Sequence, residues 1–368
     1  MKILMIDHWS DKNVYTLELC DKLSQHVELE LLTVDDSLVK GTQLYNYNKV
    51  LLGYGNKKSP KLYFSYLKSL LIHFKNATSK KFQAVHVQSF RNRLVEIPLY
   101  ILFKPLIKKL VLTVHNILPH EQKKLDKLLF KILYKISNEL IVHNFNTKEQ
   151  LIRTFNINSN KIHVIPHGIY SNQVQKVDIQ NQTEIKEKRN LLFFGIIRQY
   201  KGLDVLLKAL TLLPEYHKNN IKLKIVGKNY TGINYNEIVL NYGLESIVTI
   251  IDDYIPEEEV SEYFNWADAV ILPYKNISGS GALLLSYTFN KIVIASDLPS
   301  FVEETENGKT GYLFKTEDYV DLSKKIIKFI ESSTKETEYF LSNIKYLKEN
   351  VYNWERSAEL TFKVYSND

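Results

Sequence analysis

Residues 190–210, NLLFFGIIRQYKGLDVLLKAL, join a short apolar run to a helical pattern through a turn that holds two glycines and two cations. The run LLFF is typical of a buried strand, and VLLKAL has the spacing of an amphipathic helix. Gly195 and Gly202 bracket the turn, and Arg198 and Lys201 lie between them. Since a strand followed at once by a helix is the unit of a parallel α/β sheet, the stretch predicts two cations at the carboxyl end of a strand.

The same alternation continues in both directions from this stretch. Helix-like segments mostly separate twelve further strand-like runs: KILMID (2–7), VELELLTV (27–34), KVLLGY (49–54), AVHVQS (84–89), KLVLTVH (109–115), ELIVHN (139–144), KIHVIPH (161–167), IKLKIVG (221–227), IVTIID (247–252), DAVILPY (268–274), KIVIAS (291–296) and TGYLF (310–314). Residues 171–189 are polar and lack a hydrophobic period, which predicts a surface linker. We expect two doubly wound α/β domains that meet near residue 180, with a ligand cleft between them.

Composition sets the broad class of the protein. A chain of 368 residues with 45% hydrophobic content is long enough for two cores. Cys20 is the only cysteine, which excludes disulfides and thiolate metal clusters and fits a reducing compartment. The opening MKILMIDHW is too short for a signal peptide, and no stretch reaches the ~20 apolar residues of a membrane span. We expect a cytoplasmic protein.

Positive charge is concentrated in the first half. The net charge is +7, but residues 61–140 alone hold 15 Lys and Arg against 4 Asp and Glu. Within them, residues 122–136 place leucine and isoleucine at helical spacing and lysines largely elsewhere around the helix. This pattern fits an ordinary surface helix, or attraction to an anionic membrane surface. No zinc-finger spacing or RNA-binding motif supports a nucleic-acid partner.

Two turns in the second half are suited to binding phosphate without a glycine-rich nucleotide motif. GYGNKK (53–58) lacks the third glycine of a dinucleotide fingerprint, and the Walker pattern is absent. Helix N-termini can still bind phosphate through their free N–H groups. The first such turn carries Arg198 and Lys201, and the second carries Ser278, Gly279, Ser280 and Gly281. Taken alone, Arg198 and Lys201 could also lie on an ordinary solvated loop.

The order of several segments resembles the nucleotide-sugar half of glycosyltransferase family 4. The segments are IPHG (165–168), residues 193–210, LKIVG (223–227), ADAVILPY (267–274), NKIVIASDLPSFVEE (290–304) and NGKTGYLF (307–314), and TVHNILPHE (113–121) is similar to a segment of the acceptor half. The resemblance implies the α/β GT-B fold, in which two Rossmann-like domains, each with a parallel sheet, face each other across a cleft. It implies an N-terminal acceptor-side domain (1–180), a nucleotide-sugar domain (181–345) and a C-terminal helix (346–368) that crosses back to the first domain.

The resemblance also implies roles for single residues. Arg198 and Lys201 correspond to the cations that hold the donor diphosphate, and the backbone at Ser280 and Gly281 meets the same group. His115 corresponds to a histidine near the transferred sugar, although a structural histidine would look the same in sequence, and His86 could face the cleft. The remaining candidates are Gly279 in the same turn, Ser278 and Ser280 as sugar contacts, and Glu303, which could equally be a helix-start carboxylate.

One departure from the family concerns its paired glutamates. Their positions fall on Ile277 and Leu285, whose side chains cannot accept a hydrogen bond from sugar or ribose hydroxyls. The chain therefore resembles a branch that lacks this pair. The alternative is a catalytically inactive GT-B subunit that binds a partner or a sugar without turnover.

The reaction that the resemblance implies is hexosyl transfer from a UDP- or GDP-linked sugar with retention of anomeric configuration. No D-x-D triplet occurs, so we expect no metal and no cofactor, with cations and N–H groups stabilising the departing diphosphate. Family members with a basic, aromatic first domain often act on lipid-linked sugars, so the resemblance implies a glycan acceptor linked to polyprenyl diphosphate, as in capsule, O-antigen or exopolysaccharide assembly. We expect a peripheral protein at the inner face of the cell membrane.

Overall fold

The computed structural model describes residues 1–8, 14–34, 45–51, 60–119, 123–170, 188–277 and 279–366. The chain forms two compact units, of which the first combines Met1–Gly168 with Tyr352–Asp368 and the second is Ile169–Val351. Most of the expected linker at 171–189, and the domain boundary expected near residue 180, lie outside the described residues. Each expected strand-like run overlaps a strand of the structure. The segment GYGNKK (53–58) lies outside the described residues.

The first unit is built on seven parallel strands. They are β1 (Lys2–Ile6), β2 (Glu28–Val34), β3 (Asn46–Leu51), β4 (Ala84–Val87), β5 (Leu110–Thr113), β6 (Glu139–Val142) and β7 (Ile162–Val164). Their order in the sheet is β3-β2-β1-β4-β5-β6-β7. Met5 of β1 pairs with Leu31 of β2 on one side and with His86 of β4 on the other. Strands β2 and β3 therefore extend the sheet on one side of β1, and β4 to β7 extend it on the other side.

Helices cover both faces of this sheet. They are α1 (Tyr15–Leu23), α2 (Pro60–Ala77), α3 (Arg93–Phe103), α4 (Asp126–Ile136) and α5 (Phe145–Phe155), together with the final helix α14 (Trp354–Ser366). Helices α2 to α5 contribute to one hydrophobic core, and α1 packs with α14 in another. Cys20 of α1 is buried in the second core, where it acts as a small hydrophobic side chain.

The second unit repeats this plan with six parallel strands. They are β8 (Arg189–Phe194), β9 (Ile221–Val226), β10 (Val248–Ile251), β11 (Ala269–Leu272), β12 (Ile292–Ser296) and β13 (Gly311–Phe314), in the order β10-β9-β8-β11-β12-β13. Its helices are α6 (Leu203–Thr211), α7 (Glu215–Asn219), α8 (Tyr235–Asn241), α9 (Val260–Trp266), α10 (Gly281–Thr288), α11 (Pro299–Glu304), α12 (Tyr319–Ile330) and α13 (Thr334–Asn350). None of the helices described in either unit has an apolar stretch long enough to cross a membrane.

Each sheet has a topological switch point at its first strand. In the second unit, β8 pairs with β9 on one side and with β11 on the other. The connections after β8 and β11 therefore leave the same edge of the sheet on opposite sides, which opens a crevice at the carboxyl ends of these strands. The turn with Arg198 and Lys201 follows β8, and the Ser-Gly turn follows β11.

Candidate functional site

The turn after β8 is shaped by its two glycines. Gly195 has a φ of 105° and Gly202 a φ of 68°, both in the region that favours glycine. The Gly195 amide continues the sheet by donating to the Val226 carbonyl at 2.9 Å. A single 3₁₀ turn over Gln199–Lys201 follows, and its Lys201 amide donates to the Arg198 carbonyl at 3.0 Å. The turn ends at Gly202, where α6 begins.

Gly202 also joins this turn to the loop after β11. A side-chain carbon at Gly202 would overlap the carbonyl oxygen of Pro273. Next to this contact, the Lys275 amide donates to the Tyr200 carbonyl at 2.7 Å, and the Lys275 ammonium pairs with Asp204 at 2.9 Å. The two loops that flank the crevice are therefore packed directly on each other.

Lys201 is a cation that is largely removed from water. Its relative exposure is 9%, and its ammonium lies 5.0 Å from the centre of the Tyr274 ring. A side-chain carbon at Gly195 would lie 3.0 Å from the same ammonium. Among the residues that the structure describes, the ammonium has no carboxylate and no hydrogen-bond acceptor. A cation in this position is expensive to keep unless an anion joins it.

Arg198 lies on the exposed side of the same turn. The carbon of its guanidinium is 5.6 Å from the centre of the Tyr230 ring, a cation–π distance. Tyr230 is fixed in turn by its amide, which donates to the Ile197 carbonyl at 3.0 Å. Within the described ranges, no carboxylate pairs with Arg198. The turn thus carries one exposed and one buried cation, both supported by aromatic rings.

The Ser-Gly turn begins helix α10. The Ser280 hydroxyl oxygen accepts from the Leu283 amide at 3.2 Å, so Ser280 is the N-cap. The first α-helical bond runs from the Leu284 amide to the Ser280 carbonyl. In the described part of the chain, the amides of Gly281 and Ala282 have no acceptor and remain available to a ligand. Gly279 is exposed in the same turn, and Ser278 lies outside the described residues.

Tyr170 reaches this turn and was not singled out from the sequence. A side-chain carbon at Gly281 would lie 2.9 Å from the Tyr170 hydroxyl. The Tyr170 amide donates to the Thr288 hydroxyl at 3.3 Å, at the other end of α10, so the side chain runs along the helix. Burial raises the pKa of Tyr170 to about 12, and the hydroxyl keeps its proton at neutral pH. Only the fold brings these residues together.

Ile277 and Leu285 stand at the positions of the family's paired glutamates. Ile277 and Leu285 are both half-buried, and neither side chain can accept a hydrogen bond. Glu303 lies in the last turn of α11 and is half-buried. The interpretation of Glu303 as a helix-start carboxylate is therefore wrong, because α11 begins at Pro299.

His115 lies in the first unit, two residues after the end of β5, and both of its ring nitrogens are engaged. Nδ1 is 3.1 Å from His143 Nε2, and Nε2 is 3.2 Å from the Gln88 side chain. Burial and neighbouring histidines hold its pKa well below the usual range, so the ring is neutral. His86 is fully buried as well, between the Tyr365 hydroxyl at 2.6 Å and the Thr113 hydroxyl at 2.7 Å.

No group of three or more His, Cys, Asp or Glu side chains suited to a metal ion occurs among the described residues.

Solved structures match this architecture over the whole chain. Sucrose-phosphate synthase from Thermosynechococcus elongatus aligns with a TM-score of 0.75 and 16% identity, over 99% of this chain and 98% of that one. At this identity the likeness concerns the fold alone. Together with the two doubly wound units, it confirms the GT-B fold that was predicted from the sequence.

Family models identify the chain more closely. Residues 13–173 match the model described as Glycosyltransferase Family 4, and residues 175–346 match the model described as Glycosyl transferases group 1. With both halves matched in the expected order, the chain belongs to glycosyltransferase family 4. The resemblance seen in the sequence is thereby confirmed.

Curated relatives are about a quarter identical to this chain over the part that aligns. An uncharacterised glycosyltransferase of Methanocaldococcus jannaschii is 24% identical over 65% of this chain and 61% of its own length. The GDP-mannose:glycolipid 4-beta-D-mannosyltransferase of Xanthomonas campestris is 25% identical over 57% of this chain and 56% of its own. The O-antigen chain mannosyltransferase RfbU of Salmonella typhimurium is 25% identical over 55% and 56%. The matches thus span about half to three-fifths of these relatives.

Proposed function

We propose that the protein transfers a sugar from a nucleotide-diphosphate-sugar donor to a lipid-linked glycan in the assembly of a cell-surface polysaccharide. The observation that carries this proposal is the pair of cations at the β8 switch point. Arg198 and the largely buried Lys201 have no carboxylate partner in the described structure, and they lie on the turn that packs against the loop after β11. A diphosphate is the anion that suits this arrangement.

The donor diphosphate would be bound by both turns together. Lys201 provides a point charge and Arg198 a planar fork with several donors, while Gly281 and Ala282 provide N–H groups at a helix N-terminus. The Tyr170 hydroxyl, still protonated at neutral pH, lies beside Gly281. These groups need no reorganisation when charge develops on the leaving diphosphate, and this favours transfer without a metal ion.

The sugar would be bound without the family's paired glutamates. Because Ile277 and Leu285 offer no acceptor, we assign the remaining sugar contacts to Ser278, to Glu303 and to the region of His115. We propose that the hexose is transferred with retention of configuration, with the acceptor attacking on the face from which the diphosphate leaves. The anomeric proton of the product, observed by NMR, tests this point.

The acceptor side is supported by a surface of the first unit that we call the α2–α4 surface. Helix α2 packs on α3 through Tyr66 and Glu96, whose side chains are 3.0 Å apart, and α3 packs on α4 through Arg93 and Asp126 at 2.7 Å. Its exposed apolar side chains are Phe64, Leu67, Leu71, Leu102, Leu106, Leu125 and Leu128. Lysines lie among them at 68, 75, 104, 108, 124, 127, 131 and 135.

Among the described residues, this surface has no exposed acidic side chain. Glu96 and Asp126 are the only acidic side chains described between residues 60 and 136, and both are fully buried. Exposed leucine and phenylalanine among lysines suit the headgroup region of an anionic membrane. We therefore propose peripheral binding to the cytoplasmic membrane face, where a polyprenyl-diphosphate acceptor is found. The name of the GDP-mannose:glycolipid 4-beta-D-mannosyltransferase of Xanthomonas campestris supports a lipid-linked acceptor in general.

A transfer assay tests the proposed activity. The protein is incubated with UDP- and GDP-linked hexoses and with polyprenyl-diphosphate glycans in anionic vesicles, without added metal. We expect transfer from donors of one base only, and little transfer to the same glycan without its lipid. Equal transfer to the free glycan would contradict the proposal that the acceptor is lipid-linked.

The missing glutamates favour a second candidate, a GT-B subunit without turnover. Such a subunit would bind nucleotide or sugar but release no free nucleotide when given donor and acceptor together. Nucleotide release that requires the acceptor excludes it, whereas tight binding without release for all donors would favour it over transfer.

A further inference from the structure

A row of hydrogen-bonded side chains runs through the first unit beneath the carboxyl ends of its strands. It leads from Tyr365 of α14 through His86, Gln88, His115 and His143 to the Ile165 carbonyl. The successive distances are 2.6, 3.3, 3.2, 3.1 and 3.1 Å. The row crosses from β4 to the residue after β7, so it ties four strands and the final helix to His115.

The carbonyl end of the row fixes the direction of its hydrogen bonds. A carbonyl oxygen only accepts, so His143 must donate to Ile165 through Nδ1–H. A neutral imidazole has one N–H, and His143 Nε2 is therefore an acceptor. It accepts from Nδ1–H of His115, which leaves His115 Nε2 as an acceptor too.

Neutral rings are expected at each of these positions. Burial lowers the pKa of His86 to about 3 and that of His143 to about 4, and the pKa of His115 is well below its usual range. No carboxylate is among the described hydrogen-bond partners of the three rings. An imidazolium that donates from both nitrogens is therefore not available at neutral pH.

The Gln88 amide must then donate to His115. Its carbonyl oxygen is placed 3.2 Å from His115 Nε2, where two acceptors would oppose each other. Oxygen and nitrogen of a glutamine amide are assigned from the hydrogen-bond network, and this network requires NH₂ toward His115. The amide oxygen then faces His86 Nε2–H, and the Tyr365 hydroxyl donates to His86 Nδ1. Each ring nitrogen of the row then has a partner of the opposite role, although the nearer acceptor of His86 Nε2–H is the Thr113 hydroxyl at 2.7 Å. The Gln88 NH₂ gives up its weak contact with Met5 Sδ at 3.2 Å in this arrangement.

We infer that Gln88 is a positioning residue, whose amide N–H, together with His143, holds His115 as the Nδ1–H tautomer with no ring N–H left for the substrate. His115 would then act on the donor sugar through its backbone and through the fixed position of its ring. This role of His115 rests on the proposed transfer function, because it requires a donor sugar bound near the ring. The tautomer itself does not depend on that function.

NMR of selectively ¹⁵N-histidine-labelled protein at pH 7.5 tests the tautomers directly. Long-range ¹H–¹⁵N correlations distinguish Nδ1–H from Nε2–H, and single histidine variants assign the signals. We expect Nδ1–H for His115 and His143 and Nε2–H for His86. A His115 ring that carries its proton on Nε2, or on both nitrogens, would overturn the inference without any variant having to fold.

Two variants connect the tautomer to activity. Gln88→Glu places an acceptor opposite His115 Nε2 and should move a proton onto that nitrogen, while kcat falls about 10- to 100-fold, as for loss of an outer hydrogen-bond partner. Nucleotide affinity should change less than about twofold, because the cations lie in the other unit. Tyr365→Phe is the matched control, since it removes the first donor of the row but leaves the His115 signal unchanged.

The outcomes separate this inference from the proposed function. A wild-type protein with the expected tautomers but no nucleotide binding would contradict the transferase and leave the assignment of Gln88 intact. Unchanged kcat in Gln88→Glu, together with an altered His115 signal, would show that the tautomer does not matter to transfer and would overturn the positioning role.

Discussion

The ammonium of Lys201 lies 5.0 Å from the centre of the Tyr274 ring, a cation–π contact that stabilises its charge. The Tyr274 hydroxyl is buried and has no hydrogen-bond partner among the described residues. Burying a cation and a hydroxyl without hydrogen-bond partners lowers the free energy of unfolding at this point. Such an arrangement is typical of a binding site rather than of a structural core.

Replacing Lys201 by an apolar side chain of similar length should therefore separate stability from binding. We expect Lys201→Met to leave the free energy of unfolding unchanged or to raise it by about 1 kcal/mol, because an unpaired buried charge is removed. Nucleotide affinity should fall at least about tenfold with the loss of a charge-assisted contact. Urea unfolding and calorimetry on the same samples measure both, and a clear loss of stability would show that Lys201 has a structural anion partner.

Gly202 should be the least replaceable residue of the turn. Gly202→Ala meets both a positive φ and the Pro273 carbonyl, whereas Gly243→Ala has a similar φ of 64° with nothing near its side-chain position. We expect the control to lose about 1 kcal/mol of unfolding free energy and Gly202→Ala to lose clearly more. Equal losses would mean that the two loops do not pack as described.

The α2–α4 surface should bind anionic vesicles through its apolar side chains. Phe64 and Leu71 are 70% and 74% exposed and lie two turns apart on α2. We expect Phe64→Ser with Leu71→Ser to reduce sedimentation with anionic vesicles at least about fivefold at low salt, since each buried side chain contributes more than 1 kcal/mol. Tyr216→Ser, on a residue of the second unit that is 72% exposed, is the control and should have no effect.

Buried neutral histidines should make the first unit sensitive to mild acid. The pKa values of His86, His143 and His167 are lowered to about 3, 4 and 3, whereas an unfolded histidine takes up its proton near pH 6.5. The free energy of unfolding is therefore highest above pH 7, where both states hold neutral rings. It decreases as the pH falls below 6.5, by up to about 1.4 kcal/mol per pH unit for each ring.

Urea unfolding at pH 7.5, 6 and 5 measures this slope. His167→Gln removes one of the three rings and should make the slope shallower by about one proton. A free energy of unfolding that stays constant from pH 7.5 to pH 5 would contradict the burial of these histidines.

Much of the fold could be predicted because parallel strands leave a strong local signal. Runs such as KILMID and DAVILPY are buried on both faces, so they are almost continuously apolar, and β1 and β11 lie within them. The position of two cations at the carboxyl end of β8 also followed from the sequence, since glycines and cations come directly after the strand.

The contacts that define the candidate sites could not be predicted in the same way. Tyr170 and Gly281 are more than a hundred residues apart, and the row from Tyr365 to His143 joins side chains from the final helix and from three strands or the residues that follow them. These pairs form only when sheet order is fixed, and no local pattern encodes that order. Ser280 shows a further limit, because the sequence did not indicate that its hydroxyl oxygen caps α10.

Calorimetric titration of UDP and GDP without added metal tests the central claim most directly. It is carried out on the wild type and on the double variant Arg198→Ala with Lys201→Ala, after unfolding curves show that both are folded. We predict that one nucleotide binds the wild type and that its affinity falls at least about 100-fold in the variant, as expected for two charge-assisted contacts. Equal binding by both proteins, or no binding of either nucleotide to the wild type, would contradict the assignment of these cations to a donor diphosphate.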